Sequence, residues 1–455
     1  MDIETAYNQA LDYLYSFVDY SLKKSSELAK AEFDLERMRT LMVLLGNPEQ
    51  KYPILHVAGT KGKGSTSALM ASALTAAGYK TGLYTSPHLQ DYDERIQIDG
   101  RPISHAQLAE LVEKVKPHVA AVPKLTTFEI TTAIGFLYFA LKKVEAAVME
   151  VGLGGRLDAT NIVTPRVAVI TSLSYDHMAV LGNTLTLIAG EKAGIIKPGV
   201  PVVSSPQKEE ALAVLERVSN ERHAPLTLVG RDVLFMAGEH SLDGQTFTVS
   251  SKQKAEDGQQ TAESREQDAE NKQESVILRV PLLGQHQVIN AATAYTALQA
   301  SGLKISEAAI RKGFREVNWP CRFEIVCREP PVILDSAHNQ DSFEKLDQTL
   351  EDYFPGNPVL LIFGSSEDKD LAGMLGALKG RLKLILATKA VHPRAVEPEK
   401  IVEMANQLGL RAEAVGNVDA ALTRSLELAA GGGEIILSAG SMFVTAEVKT
   451  AWEKR

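Results

Sequence analysis

Residues 56–65 read His-Val-Ala-Gly-Thr-Lys-Gly-Lys-Gly-Ser, an apolar strand-like start running into glycines, lysines and hydroxyls, and a helical stretch over 66–77 follows. Gly59, Thr60, Lys61, Gly62, Lys63, Gly64 and Ser65 in that order suit a phosphate cradle. Glycines let backbone N–H groups close on phosphate oxygens, the helix N-terminus adds positive potential, Lys63 can reach terminal phosphates and Ser65 adds a hydroxyl. The common pattern G-x-x-x-x-G-K-[ST] is not matched, because position 57 is valine and Gly64 separates Lys63 from Ser65. A triphosphate is the expected ligand here.

A magnesium ion bridging such phosphates needs hard oxygen ligands at the carboxyl ends of neighbouring parallel strands. Glu150 ends the apolar run 146–149 and opens into Gly152-Leu153-Gly154-Gly155, while Ser86 follows the run 82–85 and Asp176-His177 follow 167–173. Each also has an ordinary reading: a solvated strand-end acid, a turn serine, a structural histidine. Pattern alone leaves both open.

Strands and helices must carry these residues. Tyr7, Leu11, Leu14 and Val18 fall at helical spacing within 4–20, and 33–45 repeats it. From residue 54 onward strand-like runs (54–58, 82–85, 146–151, 167–173, 200–204) alternate with helical stretches, the rhythm of parallel α/β. Residues 250–275 turn to Gln, Glu, Lys, Asp and Ser between strand-like 245–249 and 276–280, which predicts a flexible hairpin insertion on the surface. Helical stretches follow at 290–301 and 306–314, and Asn318-Trp319-Pro320 marks a boundary between the unit that carries the phosphate loop, 1–317, and a C-terminal unit, 318–455. The latter carries a second α/β series at 332–334, 359–363, 382–387 and 434–438.

With 455 residues, 45% hydrophobic and 23% charged, the chain reads as globular rather than disordered or collagenous. The longest apolar run, nine residues at 133–141, is well short of the roughly 18 a membrane span needs. The start Met-Asp-Ile-Glu-Thr-Ala lacks the basic and apolar order of a secretory signal, so a cytoplasmic protein is expected. A net charge of −9 has the wrong sign for a protein that neutralises a nucleic-acid backbone. Cys321 and Cys327 match neither zinc nor redox spacing and are expected to be free thiols.

Taken together, Phe33-Asp34-Leu35, the loop 59–65, residues 84–89, Thr127-Phe128-Glu129, residues 150–161, Asp176-His177, residues 191–197, His286-Gln287 with Asn290, Arg322-Phe323-Glu324, residues 335–339 and Asp368-Lys369-Asp370 resemble the folylpolyglutamate synthase and dihydrofolate synthase family of the Mur ligase superfamily. The resemblance implies an N-terminal P-loop ATPase domain of Mur-ligase type with a mostly parallel sheet, plus a smaller C-terminal Rossmann-like α/β domain. It also implies that residues 60–63 hold ATP phosphates, that Asn290, Arg322 and Asp335 complete the nucleotide site, and that Ser86, Glu150, His177 and Lys192 serve two Mg2+ ions. Lys192 would do so as a carbamate, although without the resemblance it reads as a surface lysine. Phe33, Asp34, Leu35, Thr127, Phe128, Glu129, Leu157 and Asp158 would contact a pterin-bearing substrate, with His338 and Ser441 around the incoming glutamate. Two departures from the family's pattern are Lys61, where many relatives carry Asn, and Ser365-Ser366-Glu367.

The implied reaction is ATP-dependent formation of an acyl phosphate and its capture by L-glutamate, acting on reduced folates and on dihydropteroate, with Lys63, His177, Lys192 and His338 as catalytic residues. Excluding water from an acyl phosphate calls for two domains that close on substrate about a hinge near 315–320. A monomer is the expected state. The alternatives are a Mur-type cell-wall amino-acid ligase, disfavoured by a phosphate loop already at position 59, and a nucleotide-gated regulator, which would leave Glu150, His177 and Lys192 without a joint task.

Overall fold

The computed structural model describes residues 2–19, 34–251 and 275–455. Its largest sheet has eight strands in the order β4-β3-β2-β5-β1-β6-β7-β8: β1 (Ile54–Ala58), β2 (Thr81–Tyr84), β3 (Ile96–Ile98), β4 (Arg101–Pro102), β5 (Ala146–Glu150), β6 (Val167–Ile170), β7 (Val202–Ser204) and β8 (Leu226–Leu228). β2, β5, β1, β6, β7 and β8 run parallel. Strands β1, β5 and β6 are buried at every position, as expected where helices cover both faces. β3 and β4 add an antiparallel edge that the sequence rhythm does not reveal, because runs of two or three residues carry no measurable alternation.

On one face the helix Lys63–Ala76 packs Leu69, Met70 and Leu74 over Leu55 and Val57 of β1. A side chain at Gly313, in the helix Glu307–Glu316, would stand 2.4 Å from the Ala73 Cα, so glycine permits the two helices to touch there. On the other face lies the almost wholly buried helix Thr127–Leu141. Strands β9 (Val233–Ser241), β10 (Gly244–Ser251) and β11 (Ser275–Val280) form a separate antiparallel sheet. The expected strands at 245–249 and 276–280 are thus present; residues 252–274 of the expected insertion lie outside the described residues.

The C-terminal sheet has the order β12-β13-β17-β14-β15-β16, from β12 (Glu324–Arg328), β13 (Pro331–Leu334), β14 (Val359–Phe363), β15 (Leu382–Ala387), β16 (Ala412–Ala414) and β17 (Ile435–Ala439). All pairings are parallel except that of β12 with β13. Apolar clusters cover both faces, which makes this a Rossmann-like α/β unit. The helix expected over 4–20 ends at Tyr15, and Val18, exposed, forms instead an isolated bridge with Thr126. That over 33–45 spans Leu35–Leu44, started by the Asp34 carboxylate accepting from the Glu36 N–H at 2.8 Å. Cys321 and Cys327 are free thiols. Among the described residues no helix is long and apolar enough to cross a membrane.

Candidate active site

β1 delivers the chain to the glycine loop at the carboxyl edge of the sheet. Gly62 adopts φ +85° and caps the helix that starts at Lys63; a side chain there would collide with the Asn290 amide at 2.1 Å. Asn290 therefore braces the loop from behind, its Nδ2 donating to Gln287 Oε1 at 3.0 Å. Not every loop N–H is available to a phosphate. Thr60 and Lys61 donate theirs to the Ser172 carbonyl, at 3.0 and 3.1 Å, so the loop is tied to the end of β6. The free donors are those of the first helical turn, as at any helix N-terminus.

The loop forms one wall of a cavity of about 210 Å³ between the two α/β units. Residues 60–65 line it with Ser86 and Glu150 on the N-terminal side, and Arg322, Asp335 and His338 face them from the C-terminal side. Lys63 Nζ stands 3.8 Å from Glu150 Oε1. Burial pushes the Glu150 carboxyl up to about 7, against the opposing pull of Lys63 and Arg322. The Asp335 carboxylate accepts the Phe323 N–H at 2.8 Å and the Ala337 N–H at 2.7 Å, which fixes the backbone that carries Arg322.

Between loop and C-terminal unit lies a chain of charges. Asp176 is flanked by Lys61 at 3.2 Å and by Lys369 of the C-terminal unit at 3.6 Å. The His338 ring donates from Nδ1 to the Ser336 carbonyl at 2.8 Å, so its Nε2 is a bare acceptor for Lys61 Nζ at 3.4 Å. Lys61 and burial together pull the His338 pKa down to about 3 and keep the ring neutral.

Lys192 is buried, not on the surface, and its Nζ donates to the Gly59 carbonyl at 2.9 Å. Burial, with Lys63 next, lowers its pKa to about 7, so a large share of the amine is uncharged at neutral pH. His177 adopts φ +49° at the start of the short helix Met178–Leu181. Neither Lys192 nor His177 lines the cavity, and among the described residues no three or more His, Cys, Asp or Glu are grouped so that they could hold a metal ion. Magnesium still fits part of the donor set: Glu150 is a buried carboxylate, a hard oxygen donor, and the Ser86 hydroxyl shares its cavity.

The residues expected around a pterin lie on the far side of β5. Thr126 and Glu129 form a reciprocal capping box at the start of the helix Thr127–Leu141, and Glu129 also meets Arg37 Nε at 3.2 Å. The Thr127 hydroxyl donates to the Leu14 carbonyl at 2.8 Å. Phe128 lies against Gly152, where a side chain would come within 2.5 Å of its ring. Both Asp158 carboxylate oxygens accept hydrogen bonds, from Leu153 N at 2.9 Å and from Thr160 N at 3.0 Å. Leu35 and Leu157 are partly exposed, and Phe33 lies outside the described residues. Ser441 is not part of the central cavity. It lines a small cleft with Ser365, His392 and Phe443. His286, Trp319 and Lys345 also line the cavity; His286 belongs to a motif that carries the family resemblance but has no site role in it, and Trp319 and Lys345 are not site candidates by pattern. For Trp319 a signal exists, since glycine at 64 leaves room for an aromatic ring that would meet a Cβ at 2.8 Å.

Residues 57–298 match the Mur ligase middle domain and 321–442 the Mur ligase glutamate ligase domain. A dihydrofolate synthase/folylpolyglutamate synthase of Bacillus subtilis is 36% identical over 456 residues, covering 98% of this chain and 99% of its own. The folylpolyglutamate synthase of Mycobacterium tuberculosis complexed with ADP superimposes with a TM-score of 0.86 at 31% identity, covering 99% and 98% of the two chains. FolC of Escherichia coli in complex with DHPP and ADP gives 0.82 at 31%, with the same coverage. This chain belongs to the dihydrofolate synthase/folylpolyglutamate synthase family of Mur ligases and is an ATP-dependent ligase.

Proposed function

We propose that the chain adds L-glutamate both to dihydropteroate and to reduced folates. The observation that carries the reading is the single cavity in which Lys63, Ser65 and Glu150 of one unit face Arg322 and His338 of the other. The names of the relatives from Bacillus subtilis and Escherichia coli, each given for both activities, support the bifunctional form.

A carboxylate oxygen of the acyl substrate attacks the γ-phosphorus of ATP, an O–P bond forms, the bond to the β-phosphate oxygen breaks, and ADP leaves. The glutamate amine, having lost a proton to solvent, then attacks the acyl carbon, phosphate departs with the C–O bond pair, and the nitrogen gives up a second proton, to the departing phosphate or to water, as the neutral amide forms. Residues 60–65 and the first helical turn hold the phosphates, Lys63 and Arg322 offset charge as the phosphoryl group moves, and Asn290 and Asp335 keep both walls in place. Magnesium, held by Glu150 and Ser86 with His177 and a carbamylated Lys192 nearby, would supply further neutralisation of phosphate charge. The uncharged fraction of Lys192 is what carbamylation requires, since only a free amine captures carbon dioxide. His338 in its neutral tautomer serves the glutamate side from the central cavity, with Ser441 in the separate cleft beside Ser365 and His392, and Asp34, Leu35, Thr127, Phe128, Glu129, Leu157 and Asp158 serve the pterin side.

We also propose a division into 1–317 and 318–455, closing about 315–320, in a cytoplasmic monomer with small-molecule partners and no nucleic acid or membrane. The ends of the two matched spans, at 298 and 321, support that boundary. The test is ADP release with ATP, magnesium and L-glutamate, comparing dihydropteroate with a reduced folate and weighing products by mass spectrometry. Turnover with both is the expected result; turnover with one alone assigns a single activity. Glutamate-independent hydrolysis unaffected by either acid would overturn the ligase reading. Scattering curves unchanged by ATP analogue plus folate would remove the closure.

A further inference from the structure

At the centre of β1, in an otherwise apolar strand, stands His56, wholly buried. Its neighbours Leu55 and Val57 face the helix Lys63–Ala76, so the imidazole points to the opposite side of the sheet. There its Nε2 is 2.8 Å from Thr160 Oγ1, and that hydroxyl donates to Asp158 Oδ1 at 2.5 Å. A hydroxyl has one proton to give, and here the carboxylate takes it. His56 must then donate from Nε2, which leaves Nδ1 a bare acceptor. Nδ1 is buried and has no partner. Burial, with Lys197 adding, holds the ring neutral by lowering its pKa to about 3.

An unpaired ring nitrogen at the middle of a parallel sheet is a poor choice for stability, since a valine or isoleucine would leave nothing unsatisfied. What the histidine gains is a fixed donor beneath residues 152–158. Asp158 passes the order upward by accepting the Leu153 N–H at 2.9 Å. Asn161, next along the chain, ties the same loop to the neighbouring helix by donating to the Arg156 carbonyl at 3.0 Å and the Gly194 carbonyl at 3.1 Å. β1 thus ends in the phosphate loop and, through one side chain, also sets the height of the loop beside Phe128.

We propose that His56 is a positioning residue for the acyl substrate, acting through Thr160 and Asp158 on residues 152–158. It touches no reactant itself. The identity of that substrate rests on the ligase reading above, so one of the two readouts does not depend on turnover.

Hydrogen exchange at the Leu153 and Thr160 amides, and steady-state kinetics with the acyl substrate and with ATP as variable substrates, are measured for wild type, H56L, H56Q and T160V. H56L and T160V are expected to speed exchange at those two amides by about tenfold or more, because each removes a link that orients the Asp158 carboxylate to which both amides donate. They should raise the acyl-substrate KM by about tenfold as well and leave the ATP KM within about twofold. H56Q places an amide donor near the position of Nε2 and is expected to recover most of both effects, and H56L with T160V together should do little more than either alone. Unchanged exchange in H56L and T160V, H56Q no better than H56L, or equal loosening throughout β1 and β5 would each overturn the proposal. A wild-type enzyme that fails to turn over would remove the ligase reading while the exchange result still decides the role of His56. Should H56L not fold, T160V and H56Q decide it.

Discussion

Lys63, Ser65 and Glu150 turn their side chains into a cavity shared with Arg322, whereas Asp34, Glu129 and Asp158 turn their carboxylates to backbone N–H groups of their own segments. Both regions are rich in charge, and both flank β5. On the nucleotide side the backbone is arranged by glycines and by Asn290, so the charged groups remain open to a ligand. On the pterin side the charged groups do the arranging. A substitution on the first side should therefore change chemistry with little loss of fold, and one on the second should change both, unless it keeps the local hydrogen bond.

Lys63 offers the sharpest test. Lys63→Ala removes the loop's cavity-facing ammonium, whose partner Glu150 is 3.8 Å away. Turnover should fall by about 10²–10³ in kcat, the usual loss when a preorganised charge-stabilising group is removed. Thermal unfolding should stay near that of wild type. A fall of less than about tenfold would break the comparison, because the cavity would then not be where phosphate charge develops.

Lys192 should follow at about 10- to 100-fold in activity, as for groups that support a metal centre from behind. Enzyme depleted of carbon dioxide should regain activity on adding bicarbonate, while Lys192→Ala should not respond. An intact-mass adduct of one carbon dioxide, present in wild type and absent from the variant, is the accompanying readout. Activity indifferent to bicarbonate would leave Lys192 as a buried amine holding the Gly59 carbonyl.

Glu150 separates function from stability. Its carboxyl is protonated more readily in the folded chain, at about 7, than at the ordinary 4.5. The folded state then binds the extra proton between those values, so burial of the charge opposes folding above pH 7 and the penalty fades as pH falls toward 4.5. In magnesium-free buffer Glu150→Gln should raise the thermal midpoint at pH 8, by on the order of 1–3 kcal/mol in stability, and do little at pH 4.5. Ligase activity should be lost at both. A variant less stable than wild type at pH 8 would mean that the Lys63 pair, rather than desolvation, governs this carboxylate.

The same contrast decides what the amino-acid sequence reveals by itself. Residues 59–65 are legible because strand, glycines, lysine and helix are contiguous, and the physics of a phosphate cradle is local. Glu150 and Ser86 are legible as candidates because strand ends in a parallel sheet converge on one edge. The burial of Lys192 is not, since it follows from packing between the helix Leu185–Ala193 and the phosphate loop, and a lysine in that sequence reads as solvated. Nor is the hydrogen bonding of Asp158 and Glu129, where family likeness suggests a ligand contact and the local geometry adds a cap. Strands β3, β4 and β16 escape because their two or three residues carry too little pattern, while the C-terminal strands at 332–334 and 359–363 are plain runs of buried apolar residues and that at 382–387 is apolar apart from the exposed Lys383.

Asp34 gives the smallest expected effect and the cleanest separation of cap from contact. Its carboxylate starts the helix Leu35–Leu44, and asparagine caps a helix about as well as aspartate, so Asp34→Asn should change stability by less than about 0.5 kcal/mol. Asp34→Ala removes the cap and should lower stability by about 1 kcal/mol. If Asp34 also touches the pterin ring, the asparagine variant, folded as wild type, should still raise the acyl-substrate KM by about three- to tenfold, the loss of one hydrogen bond to a charged acceptor. If it is only a cap, the asparagine variant keeps the wild-type KM and the alanine variant alone shifts it. Because the two variants differ in the cap and agree in lacking the charge, their KM values divide the carboxylate's two tasks without any need to compare stabilities across sites.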